Sequence, residues 1–211
     1  FSPYLFPPDI MDNKILRARL NLFDYGTAYF EDSDALSIRW EDGRPENIST
    51  GLDKGWGLHL QNGDESYYSQ FAEMDEPSLE EFTKKIPSVE RKTAVQPGPP
   101  DSRCYAHYIR IKSGDVALDR KIQDLNKIYE SARQFDSRIK QIIINYGEKQ
   151  KKITVISSDG AVLKEERNYT VLGISVIAHE KNDIQTASEI VGGICGYELI
   201  EDLDLTGIAL K

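Results

Sequence analysis

Between Asp12 and Phe23 the apolar residues Ile15, Leu16, Leu20 and Phe23 recur every three or four positions, the period that puts them on one face of a helix. Asp12 stands where it would cap that helix. The pattern then changes period. After the aromatic-rich DYGTAYFED, the segment SDALSIRWEDG alternates Leu36, Ile38 and Trp40 with polar neighbours up to Asp42-Gly43, and the two read as consecutive antiparallel strands. Trp56, Leu58 and Leu60 alternate in the same way ahead of Asn62-Gly63 and SYYSQF, which predicts a hairpin. Ser78 and Glu81 have the spacing of a capping box before Phe82 and Ile86, so a short helix is expected there, broken near Pro87.

Three prolines and a glycine in QPGPPDSR, residues 96–103, interrupt both periods and favour an extended connector. Beyond it Leu118, Ile122, Leu125, Ile128, Ala132 and Phe135 form the longest helical stripe of the chain, predicting a helix over 115–135. RIKQIIINYGE, KKITVISSDG, AVLKEERN and YTVLGISVIAH are β-branched runs parted by turn signals such as Ser158-Asp159-Gly160. The final LTGIALK has Leu205, Ile208 and Ala209 at the spacing of a helix beginning, so the fold is expected to continue beyond Lys211.

The second half repeats the first. Tyr29-Phe30-Glu31 matches Tyr146-Gly147-Glu148 and Asp42-Gly43 matches Asp159-Gly160 at one offset of 117 residues (159 − 42). Trp56-Gly57-Leu58-His59-Leu60 answers Leu172-Gly173-Ile174-Ser175-Val176 at an offset of 116 (173 − 57). The fold class expected is α+β: two related helix-plus-antiparallel-sheet units with curved sheets. The first spans 1–95, a connector 96–114 and the second 115–211.

Charge narrows the partners. Lys and Arg total 26 against 35 Asp and Glu, a net charge of −9, which argues against sequence-independent attraction to nucleic acid. No apolar run is long enough for a membrane-spanning helix, and FSPYLFPPDI lacks the basic start and apolar stretch of a signal peptide. Cys104 and Cys195 have no CxxC spacing and are expected to be buried, inert thiols.

Catalytic patterns are missing. The chain has three histidines. His179-Glu180 begins like HExxH, but the fourth residue on is Asp183, so the second ligand on that helical face is absent and a turn histidine at a strand end is expected. No phosphate-cradling glycine loop and no GxSxG elbow occurs. IVGGICGYE reads as a strand whose glycines permit a bulge or close backbone approach. No catalytic or metal-ligating residue is therefore assigned. Trp56, Gly192 and Gly193 are candidate peptide contacts, the alternative for Trp56 being a core residue of the sheet.

DYGTAYFEDSDALSIRWEDG, GLDKGWGLHLQNGDESYYSQ, ITVISSDGAVLKEERNYTVLGISVIA and the glycine run ending in GYE occur in an order that resembles the N-terminal region of the TldD/PmbA family, long labelled modulators of DNA gyrase. The prolines of the connector, and Trp56 and His59 in the glycine strand, depart from that pattern. The resemblance implies a cytoplasmic zinc metallopeptidase acting on unfolded peptides as a homo- or heterodimer of homologous subunits. It also implies an HExxxH zinc motif downstream of the residues present here, so that this chain carries no cofactor while the longer parent carries zinc. The expected role is that of a non-catalytic half forming chamber wall and subunit interface, with an extended peptide pairing along a strand edge. A non-enzymatic scaffold of the same fold is the alternative.

Overall fold

A computed structural model describes residues 13–73, 75–87 and 102–203. Along the chain lie α1 (Asn13–Leu20), β1 (Tyr25–Glu41), β2 (Arg44–Asn62), β3 (Glu65–Phe71), α2 (Glu76–Lys84), β4 (Ser102–Ala106), α3 (Leu118–Phe135), β5 (Ile139–Ser157), β6 (Val162–Glu180), β7 (Asp183–Ile194) and α4 (Glu198–Glu201). The sheet order is β3-β2-β1-β5-β6-β4, with β7 also paired to β6. The repeat is visible in the element order: a helix, a long hairpin and a third antiparallel strand, then the same again.

Two compact units are built from these elements. The first comprises 1–32, 53–105 and 152–165, the second 33–52, 106–151 and 166–211. Each unit thus holds the helix and strand bases of one repeat together with the hairpin tip of the other.

In the first unit Leu16 and Leu20, one helical turn apart on α1, are fully buried with Ala28, Phe30, Trp56, Leu58, Leu60, Leu79 and Ile156. The Phe30 and Trp56 rings lie 4.8 Å apart, centroid to centroid. The Ser158 N–H donates to the Gly26 carbonyl at 2.8 Å, and the Ser158 hydroxyl accepts from the Gly26 N–H at 3.0 Å. These two bonds fasten the β5–β6 turn to the start of β1. Asp12, the expected cap of α1, lies outside the described residues. For α2 the cap is Asp75, whose carboxylate accepts from the Ser78 N–H at 2.9 Å. Ser78 therefore sits inside the first turn instead of capping it, because Asp75 offers an ionised acceptor three residues earlier and Pro77 needs no donor partner.

In the second unit α3 covers Ile38, Trp40, Ile142, Ile144, Tyr146, Leu172 and Ile174 with Leu125 and Ile128. The ends of the expected stripe face water: Leu118 is 41% and Phe135 53% exposed. The face instead buries Lys121, which is 3% exposed.

Several expected strand breaks do not occur. DYGTAYFED and SDALSIRWE form the single strand β1, and the four later runs fuse into β5 and β6. Charged residues in the middle of these strands suspend the local alternation, yet pairing with neighbours on both sides carries the ladder through. The turn at Asp42-Gly43 forms as expected, with φ of 50° and 82°, values a type I′ turn requires. The next turn is shifted by one residue. Asn62 pairs with Glu65, so the loop is Gly63-Asp64, and only Gly63 has positive φ, at 62°, as in a type II′ turn. At the equivalent β6–β7 turn this position is Lys181, with φ of 55°. A side chain there strains the backbone, so Lys181→Gly should stabilise the protein by about 1 kcal/mol. Urea unfolding would show a raised midpoint, and an unchanged or lowered one would contradict the turn geometry.

Candidate functional site

The candidate peptide contacts lie in different settings. Trp56 is 7% exposed, inside the core of the first unit. Gly192 and Gly193 lie on β7, opposite Val171 and Thr170 of β6. A Cβ at Gly192 would come within 2.8 Å of the Thr170 carbonyl oxygen, whereas one at Gly193 would meet nothing within 4 Å. Gly192 is thus required by close strand packing, and Gly193 is open.

Residues alternate across the second unit's strands, so Tyr146 and Leu172, buried beneath α3, place Gly147 and Val171 on the opposite face. Ala35 and Ser37 alternate in the same way with Leu36 and Ile38. That opposite face carries an open hollow of about 460 Å³ lined by Ala35, Ser37, Ser49, Gly51, Gly147 and Val171, among others. The Ser37 and Ser49 hydroxyls are 2.7 Å apart. Leu36, Thr50, Glu148, Lys149 and Tyr169 complete the lining; the small residues among them leave room for an incoming backbone to approach closely. The repeat had singled out Gly147, but not its neighbours; strand pairing collects them from three separate segments.

A buried polar cluster lies on the α3 side. Lys121 Nζ donates to Glu148 Oε1 at 2.8 Å, with the two side chains only 4% and 11% exposed. The Tyr146 hydroxyl donates to Glu148 Oε2. Burial, then the neighbouring Glu148 carboxylate, pushes the Tyr146 hydroxyl far above the usual phenol range. Burial also raises Tyr197, followed by the Asp124 carboxylate that its hydroxyl contacts at 3.1 Å. The link from α3 to the sheet is the Lys121–Glu148 pair, which Tyr146 supports from within β5, while Tyr197 ties the start of α4 to Asp124 of α3. Ser113 and Thr170 hydroxyls meet at 3.0 Å beside it, and Thr170 donates to the Cys195 carbonyl at 3.2 Å.

The cysteines differ from expectation. Cys104 is exposed, as are its neighbours on β4, which lies at the end of the sheet order, and Cys195 is half-buried, with burial raising its thiol.

Zinc does not fit the described residues: none of their His, Cys, Asp and Glu side chains form a group of three or more able to hold a metal. His59 stacks on Tyr68 at 4.5 Å between centroids. His179 lies at the end of β6, its N–H donating to the Arg138 carbonyl at 2.9 Å.

A second cavity, of about 360 Å³, lies between the C-terminal turns of α3 and strands β6 and β7. It is lined by apolar residues including Ala132, Phe135, Val176 and Ala187 and by the charged Asp136, Arg138, Glu180, Asp183 and Glu189. Arg138 bridges Asp136 at 2.6 Å and Glu180 at 2.9 Å. The Arg138 guanidinium holds Asp136 down at about 2.

A helix laid on one face of a long antiparallel hairpin, with a third strand added and the whole arrangement repeated, defines an α+β repeat protein with one open sheet face in its second unit. The chain belongs to the PmbA/TldD metallopeptidase family: residues 26–86 match the family model for PmbA/TldA metallopeptidase domain 1, and residues 111–211 that for the central domain. It is 25% identical over 183 residues to a metalloprotease TldD homolog of Haemophilus influenzae, covering 83% of this chain and 37% of that protein. Its fold is shared with a Thermotoga maritima protein named as a modulator of DNA gyrase (TM-score 0.71, 13% identity, 94% of this chain and 46% of that one). TldE of Thermococcus kodakarensis is similar in fold too (TM-score 0.67, 12% identity, 93% and 45%). The chain thus spans less than half the length of each of these relatives. No helix among the described residues is long and apolar enough to cross a membrane.

Proposed function

We propose that this chain is the non-catalytic, N-terminal half of a TldD-like metallopeptidase that processes unfolded peptides in the cytoplasm, paired with a homologous subunit. The observation that carries this reading is the span of the family match, which covers domain 1 and the central domain and 37% of a metalloprotease TldD homolog. The open face of the second unit, where Ala35, Ser37, Ser49, Gly51 and Gly147 leave room for a backbone, is the chamber wall that an extended chain lies along. Hydrolysis and the zinc that supports it belong to the portion of the parent beyond these domains.

The test compares this chain with its full-length parent for bound zinc and for cleavage of an unfolded peptide. About one zinc per protomer and cleavage in the parent alone are expected. Zinc-dependent cleavage by this chain would overturn the division of labour, and neither property in either protein would identify a scaffold.

A further inference from the structure

The outer strand β7 has a chemistry that selects its partner. Among the described residues it pairs only with β6, in register from Tyr169↔Ile194 to Glu180↔Asp183, so its other edge presents unpaired backbone groups. Cross-strand partners share a face, and Glu189 lies opposite Ile174 and Val191 opposite Leu172, both buried under α3. The odd-numbered residues of β7, including Asp183 and Glu189, therefore lie on the α3 side. The even-numbered ones lie on the other, where Ile184 is 66%, Ile190 74% and Ile194 43% exposed. A free edge is thus flanked by acids on one face and by bare isoleucines on the other.

The α3-side cavity adjoins this edge. Its lining combines apolar residues with Asp136, Glu180, Asp183 and Glu189, and Arg138 is the one Lys or Arg among the lining residues, already bridged to two of those acids. An alkyl stem ending in a cation matches such a site: the stem lies along Phe135, Val176 and Ala187 while the charged head stays in water beside the acids.

We infer that the free edge of β7 docks an extended partner segment in which basic and apolar residues alternate, Lys or Arg toward α3 and Ile, Val or Leu beside Ile184 and Ile190. A second copy of β7 is a poor occupant, because the strand has no Lys or Arg and self-pairing would bring no cation to its acids. The outer strand β3, ESYYSQF, has an acid and no base either. The site stands whether or not the parent hydrolyses peptides, since it is read from binding alone.

The test is a fluorescence-anisotropy titration of the purified protein with labelled acetyl-Lys-Val-Lys-Val-Lys-Val-amide, its Glu-Val counterpart, and a Lys-Val version N-methylated at alternate amides. Hydrogen exchange of residues 183–194 is followed with and without peptide. The Lys-Val peptide should bind about tenfold or more tightly than the Glu-Val peptide, the Asp183→Asn/Glu189→Gln variant should lose about three- to tenfold, and added salt should weaken binding. N-methylation should abolish binding, and the unmodified peptide should slow exchange along β7. Equal binding of the acidic or N-methylated peptide would overturn the inference, as would an unaffected double variant. So would a β7 edge protected before any peptide is added, which would mean that a second copy or the rest of the parent already occupies it.

Discussion

Lys121→Met is expected to lower the stability of the protein by about 3–5 kcal/mol, because it leaves the Glu148 carboxylate buried without its cation. The Lys121 side chain is 4% exposed and Glu148 11%, so water can replace little of the lost interaction. Tyr146 would still donate to Glu148, but one phenol hydrogen bond does not neutralise a carboxylate away from solvent. Substituting both partners, as Lys121→Met/Glu148→Met, should recover much of the loss, since an apolar pair of similar volume removes both desolvation costs. Urea unfolding of the single and double variants completes the cycle. A loss below about 1 kcal/mol for Lys121→Met would mean that the pair behaves as a surface ion pair.

Gly196→Ala should be comparably damaging, at about 3 kcal/mol or more, through overpacking instead of charge. A Cβ at Gly196 would fall 2.0 Å from the Ile111 carbonyl oxygen and 2.6 Å from Ile109 Cγ2. That carbonyl cannot withdraw freely, because it accepts the Tyr197 N–H at 2.8 Å. The Glu198 carboxylate tightens the same junction, accepting the Gly196 N–H at 2.9 Å and the Ile111 N–H at 3.0 Å. Displacing the strand end from 109–111 would break these bonds together. Limited proteolysis should therefore cut the variant near 107–112 much faster than the unsubstituted chain, alongside a lowered unfolding midpoint. Unchanged values of both would show that the junction yields at little cost.

Both sites lie beyond a reading of local pattern. Lys121 interrupts no periodicity that would mark it as buried; it goes under because Glu148, 27 residues on and on a different strand, supplies its counter-charge. The glycine run at 192–196 was legible as a place of close backbone approach, but which glycine is pressed, and against what, depends on Ile111 and Thr170. The second hairpin turn lies one residue beyond Asn62-Gly63, where neighbouring Asp64 offers a nearly equal turn signal, and α2 is capped not by Ser78 but by Asp75, three residues earlier, an equally suitable cap residue. The hollow lined by Ala35, Ser37, Ser49, Gly51 and Gly147 had no linear signature, because its members meet only across paired strands.

The sequence by itself determined the periods: helices at Leu16–Leu20 and Leu125–Ile128, alternating strands, the Asp42-Gly43 turn, the repeat and the family. Those features follow from neighbours a few residues apart, whose burial or turn preference each segment states locally. The tertiary structure decided the length of the strands, the burial of the Lys121–Glu148 pair and the assembly of each unit from three separated segments. These depend on pairing and charge compensation between residues far apart in the chain, where a polar residue can sit mid-strand or under a helix once its partner is supplied.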